Sequence, residues 1–168
     1  MLRDMRRASG HLVLLVGLLF WSGCSSFDRD FEKATSALHP AETIAGAWEG
    51  RWQSDNGHGC GELLCILTPR ADGEYEARFK ATYWGILKAS YTVTLRGAGH
   101  DGKTLLLAGE EDLGWLAGGK YKYQGRVTPS DFTCSYESKY DHGMFTLTRP
   151  GARPPRTQAV DTAAHVHR

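Results

Sequence analysis

The clearest signal in the chain is an alternation of apolar and polar side chains with a period of two. Tyr75, Ala77, Phe79, Ala81 and Tyr83 alternate with Glu74, Glu76, Arg78, Lys80 and Thr82. Leu87, Ala89, Tyr91, Val93 and Leu95 then alternate with Lys88, Ser90, Thr92, Thr94 and Arg96. Successive side chains of a strand point to opposite faces, so each stretch predicts a strand with one face on a core and the other in water. The same reading extends both ways along the chain. Trp48, Gly50 and Trp52 share a face opposite Glu49, Arg51 and Gln53, and Asp55-Asn56-Gly57-His58-Gly59 is a turn. In the next strand Leu63, Cys65 and Leu67 alternate, but Leu64 and Ile66 make both faces apolar and leave its facing open. Ala71-Asp72-Gly73 turns the chain before Glu74, and Gly97–Gly102 reads as the turn before a fifth strand, Lys103–Gly109. A longer loop, Glu110–Gly119, leads to Tyr121, Tyr123, Gly125 and Val127. Thr128-Pro129-Ser130 leads to Phe132, Cys134 and Tyr136, and Asp141-His142-Gly143 to Phe145 and Leu147.

Eight one-sided strands on short connections predict an all-β domain over residues 46–149, an eight-stranded antiparallel up-and-down β-barrel, whose closure removes the two exposed edges. A two-sheet β-sandwich is the alternative. The layout resembles the calycin-type barrels, namely the lipocalins, fatty-acid-binding proteins and avidins. Gly46-Ala47-Trp48 is similar to the glycine–x–tryptophan that opens lipocalin and avidin barrels. The resemblance implies a closed barrel that holds either its own side chains or one small ligand.

The two ends follow different patterns. Met1–Gly10 carries Arg3, Arg6 and Arg7, and Leu12–Trp21 is an apolar run broken only by Gly17. Such a run is too short to span a bilayer comfortably and fits the core of a signal peptide. Ser22-Gly23-Cys24 then resembles a lipobox, although Trp21 stands where leucine is usual. The resemblance implies a bacterial lipoprotein with signal peptide 1–23, lipidated at Cys24 and held on a membrane by that anchor. Ser25 in the second mature position is not the aspartate of inner-membrane retention, which implies the outer membrane, facing the periplasm. Residues 24–45 form a tether in which Phe27, Phe31, Ala34 and Leu38 recur at helical spacing. They predict a short amphipathic helix ending before Pro40, or else a spacer with partial order. Residues 150–168, with Pro154-Pro155 and no apolar periodicity, predict a disordered tail.

Composition sharpens this picture in two places. Twenty glycines and 18 aromatics suit turns and strands respectively. The formal charge of +1 is set partly by the leader: without Arg3, Asp4, Arg6 and Arg7 the chain has 17 basic and 18 acidic side chains. A near-neutral barrel without a basic stripe excludes nucleic acid as a partner.

No G-x-S-x-G, P-loop or H-E-x-x-H is present, so no enzyme, cofactor or metal site is expected. Cys60, Cys65 and Cys134 permit at most one internal disulfide, and spacing alone leaves the pairing open. In an up-and-down barrel alternate connections emerge at one end. That end gathers His58, Trp84, Glu111, Asp112, Trp115, Leu116, Asp141 and His142, an aromatic and charged mouth for a ligand or partner. Small inner residues (Gly50, Ala77, Ala81, Ala89, Gly125) beside tyrosines and tryptophans leave either a cavity or space filled by rings. Two functions follow: binding of a small, partly apolar molecule, or interaction with an envelope protein, as in the lipid-anchored lysozyme inhibitors, which are also small barrels. A structural role in the envelope is a third.

Overall fold

The computed structural model describes residues 22–37, 42–114 and 119–151. Residues 1–21 of the leader and 152–168 of the tail lie outside the described residues, while α1 begins at Ser22, two residues before Cys24. One helix, α1 (Ser22–Ser36), precedes eight strands: β1 (Gly46–Ser54), β2 (Cys60–Pro69), β3 (Glu74–Tyr83), β4 (Leu87–Asp101), β5 (Thr104–Asp112), β6 (Lys120–Val127), β7 (Asp131–Glu137) and β8 (His142–Thr148). Each strand pairs antiparallel with the next, and β1 pairs with β8, so the sheet closes as an up-and-down barrel. The sandwich alternative is excluded by that last pairing.

Two boundaries differ from the sequence reading. Gly97–Gly102 is not a turn. β4 continues to Asp101 through a bulge between Gly97 and Gly99, and the reversal falls at Gly102 and Lys103. An extra residue absorbed in a bulge bends a strand without ending it. Glu110, Glu111 and Asp112 are likewise not in a loop but extend β5, opposite Lys122, Tyr121 and Lys120. Opposed charges across these strands favour the longer pairing, and Glu110 reaches Lys120 at 3.7 Å.

The apolar outer face of β2 is explained by α1. Phe27, Phe31 and Ala34 make a stripe at helical spacing, and the helix stops where the Thr35 and Ser36 hydroxyls bond back to the Phe31 and Glu32 carbonyls. Phe27 is buried, yet it stands apart from the interior cluster, as do Ala47 and Ile66. Ala47, Ile66 and Arg78 form one cross-strand row on the outside of β1, β2 and β3. Arg78 and Lys80 flank the Phe27 ring at 5.7 and 5.8 Å. Arg78 donates to Asp30 at 2.9 Å, and buried Lys80 to Asp28 at 2.6 Å. At 100° per residue Asp28 and Asp30 lie on opposite flanks of the helix stripe, so α1 lies across β3 rather than along it.

Inside, the barrel is divided. Its plain end, at the 70–73, 102–103 and 128–130 connections, is filled and sealed. Arg149 lies 3.9 Å over the Trp48 ring and donates to the carbonyls of Thr43, Ala45, Ala47 and Pro129. Above it the Trp48, Phe132, Phe145, Phe79 and Tyr91 rings stand in successive contact, with centroids 5.3–5.8 Å apart. Gly125 belongs to this floor: a Cβ there would meet the Phe132 ring at 3.2 Å, so the space its side chain leaves is taken by an aromatic. Above the floor the rings no longer fill the interior.

Candidate ligand cavity

The upper half of the barrel, toward the 55–59, 84–86, 113–119 and 138–141 connections, holds a cavity of about 430 Å³ that opens to solvent beside Trp84 and Leu87. Its wall carries five tyrosines, Tyr83, Tyr91, Tyr121, Tyr123 and Tyr136, with Trp52, Trp84 and Phe145. Leu63, Leu87, Leu113, Ala81 and Ala89 supply the aliphatic surface, and Ser90 and Asp141 complete the wall. The alternation places the inward strand side chains there, whereas Ser90 shares the outer row of Lys80 and borders the cavity between Ala89 and Tyr91. Leu63, Ala81 and Ala89 are register partners on β2, β3 and β4, and two alanines in that row leave the room that a floor position fills with a ring. Both readings of the small inner residues therefore hold, in different halves.

Trp52 is fixed by its indole N–H, which donates to the Thr82 carbonyl at 3.1 Å. That approach requires Gly61, because a Cβ there would collide with the Thr82 carbonyl and come within 2.8 Å of the indole nitrogen. Tyr136 donates to the Gln53 carbonyl at 3.2 Å and to Asp141 at 3.4 Å. Tyr83, Tyr91, Tyr121 and Tyr123 line the hollow, and their hydroxyls make no hydrogen bond among the described residues. Burial pushes the Tyr91 and Tyr123 phenols well above their ordinary range, with neighbouring tyrosines adding to the shift. They stay neutral donors and acceptors at any physiological pH.

The residues expected at the mouth divide on inspection. His58 and Asp141 come together: the imidazole Nδ1 lies 3.4 Å from the carboxylate. Ser54, in the adjoining strand end, donates to Asp141 at 2.6 Å and accepts from the backbone N–H groups of Asn56 and His58. The first and last turns of this end thus lie side by side, tied again by the Asp55 N–H to the His142 carbonyl. Glu111 shares the inward face of β5 with Leu107 and Gly109, opposite Tyr121. Asp112 points outward and accepts from the Gly114 N–H at 2.9 Å, a turn-forming role. His142 opens β8 on the exposed side, opposite Glu137, and does not join the cavity. Trp115 and Leu116 lie outside the described residues.

Trp84 sits at the rim, 76% exposed, with φ 49° followed by Gly85 at φ 76°. Two successive positive φ values, closed by the Ile86 N–H to the Tyr83 carbonyl, are what a tight primed turn needs, and its first position favours asparagine or glycine. A tryptophan there is strained by about 1–3 kcal/mol. Ile86 and Leu87 beside it are also exposed.

Sequence reasoning placed the tyrosines on the inner face without separating wall from filling. That separation depends on which rings meet across the barrel, as Trp48, Phe132 and Phe145 do, and on where alanines align on neighbouring strands. The three cysteines are free thiols: Cys60 is exposed, and Cys65 and Cys134 are buried in the interior. Burial pushes the Cys134 thiol up to about 12 and the Cys65 thiol well above its ordinary value.

The chain matches no protein-family model and no curated protein. Two solved structures are similar to it. One is a redesigned β-barrel, mFAP1, bound to DFHBI, at 15% identity and a TM-score of 0.47, covering 63% of this chain and 94% of that one. The other is a point mutant of the fluorescent protein UnaG, at 9% identity and a TM-score of 0.37, covering 65% of this chain and 97% of that one.

Proposed function

We propose that this protein is a lipid-anchored envelope lipoprotein whose barrel holds one small, partly apolar molecule in the upper half of its interior. The observation that carries the binding role is the 430 Å³ cavity above a closed aromatic floor. Ligand sites are commonly about 300–1,000 Å³, mostly apolar, with a few placed polar groups, and this wall of rings and alanines with Asp141 and the phenols has that make-up. A void of this size in a small barrel forgoes packing that the lower half achieves, and occupancy would restore it.

The anchoring part of the reading rests on Arg3, Arg6, Arg7, the apolar run Leu12–Trp21 and Ser22-Gly23-Cys24. Three acyl chains on Cys24 would hold firmly where one alone binds marginally. Titrating the soluble domain (residues 25–151, which lack Cys24 but keep Phe27, Asp28 and Asp30 on the barrel) with the neutral dye N-phenyl-1-naphthylamine, read as quenching of tryptophan emission, tests the cavity. Saturable one-site quenching supports it; a linear, non-saturating response counts against it. Labelling cells with a fatty-acid analogue tests the anchor, since Cys24→Ser should abolish the label, and equal label on both proteins would refute lipidation.

A second reading, docking to an envelope protein, is favoured by one observation: Trp84, Ile86, Leu87 and Tyr140 are large apolar side chains exposed around the mouth. A pull-down with the soluble domain, or a lysozyme assay, distinguishes it.

A further inference from the structure

Among the described residues, the wall of the cavity carries one carboxylate, Asp141, and several phenols but no lysine, arginine or histidine. Asp141 is part of it, and its contacts are the neutral hydroxyls of Ser54 and Tyr136 and the rim imidazole of His58. Glu111 is not part of that wall but stands beside it, on the inward side of β5, opposite the wall residue Tyr121 and two residues before the wall residue Leu113, and it makes no hydrogen bond or ion pair among the described residues. Its partner strand brings Tyr121 and Tyr123 close enough for the carboxylate to help keep the Tyr123 phenol protonated. Tyr123 lines the hollow, is only 4% exposed, and its hydroxyl has no hydrogen-bond partner among the described residues.

Resting on the ligand-binding reading, we infer that the occupant is an organic cation: a protonated amine or quaternary ammonium carried on an apolar body. The rings of Trp52, Tyr91, Tyr123 and Tyr136 present π electrons and phenol oxygens to the space, and both attract a cation stripped of water. Glu111 and Asp141 supply the counter-charge, which in a low-dielectric interior acts more strongly than at the surface. An anion of the same shape would lose its hydration, meet Asp141 with Glu111 close by, and find no basic group among the described wall residues. A neutral molecule would fit but would gain nothing from either feature. The cavity can enclose a head group with a short aromatic or aliphatic body, and the exposed Trp84 lies where the remainder would emerge.

Three probes of nearly one shape separate these cases: benzyltrimethylammonium, its carbon isostere neopentylbenzene, and phenylmethanesulfonate. Affinities are read at pH 8 by tryptophan fluorescence and by calorimetry on the soluble domain. The ammonium should bind at least about tenfold tighter than neopentylbenzene, with the sulfonate weakest. Glu111→Gln, a change at a carboxylate with no partner to lose, should weaken the ammonium about tenfold and leave neopentylbenzene unchanged. Asp141→Asn, checked for a normal melt, should act in the same direction. Equal binding of ammonium and isostere, or tightest binding of the sulfonate, overturns the cation inference while leaving a ligand-binding barrel. Saturation by N-phenyl-1-naphthylamine without saturation by the ammonium does the same. If no probe and no dye saturates, the cation inference and the binding function fall together. An ammonium affinity that neither carboxylate variant changes also overturns the inference.

Discussion

Truncating Phe132 and Tyr121 in turn should give unequal losses of stability, because one ring is floor and the other is wall. Phe132 is fully buried, meets Trp48 at 5.8 Å and Phe145 at 5.4 Å edge-on, and fills the space over Gly125. Phe132→Ala leaves a void that Gly125 has no side chain to fill, and Trp48 cannot relax into it while Arg149 clamps its ring. Large-to-small changes at such sites cost about 3–5 kcal/mol. Tyr121 is half-buried and already borders the cavity. Tyr121→Ala forfeits part of its transfer energy and enlarges an existing hollow, at a cost of about 1–2 kcal/mol. Urea melts of the soluble domain, fitted with a common slope, measure both. A further readout is that the new void in Phe132→Ala, lined only by apolar groups, should take up xenon or benzene. Equal losses for the two variants would mean that the interior is uniformly packed or uniformly loose, and the division into floor and cavity would be wrong.

Three other outcomes follow from the same geometry. Trp84→Asn should raise stability by up to about 1 kcal/mol, because asparagine tolerates the left-handed turn, while weakening ligand or partner binding; a destabilised variant would refute the strain. Stability should begin to fall above about pH 9, where the unfolded chain releases the Cys65 and Cys134 protons that the folded state keeps, and fall more steeply above about pH 10, where the same holds for Tyr91 and Tyr123. Each phenol contributes a slope of about 1.4 kcal/mol per pH unit there, so melts from pH 8 to 12 should show a shallower fall for Tyr123→Phe, and identical slopes would contradict the assignment. Thiol reagents on the native barrel domain should label Cys60 quickly and leave Cys65 and Cys134, whose thiols are buried and shifted upward, untouched until unfolding; rapid labelling of all three would show that the interior opens.

Strand number, inner face and the gathering of alternate connections were legible because a period of two is a local property of the chain. The bulge was not: Gly97, Gly99 and Gly102 are all compatible with a turn, and only pairing with β5 shows that the strand survives the first two. Leu64 and Ile66 looked ambiguous on β2 because their partner, α1, is remote in sequence; once Phe27 covers the outside of the sheet, both faces of that strand are accounted for. At the mouth, His58 and Asp141 lie 3.4 Å apart, whereas Asp112 and His142 point outward by the same alternation once β5 and β8 are given their full lengths. Which tyrosines bound empty space depends on contacts across the barrel between strands that never pair, and no local pattern carries that information.

The most direct measurement compares the native domain with Ala89→Trp in a titration with N-phenyl-1-naphthylamine. Ala89 faces inward beside Ala81 at the open part of the wall, so the added indole should occupy the cavity without crowding the aromatic floor. The expected result is saturable one-site binding by the native protein and its loss in the variant, with melting curves that coincide within about 0.5 kcal/mol. Undiminished binding by a normally folded variant, or a variant that unfolds because no room exists, would contradict a hollow upper half as the binding site.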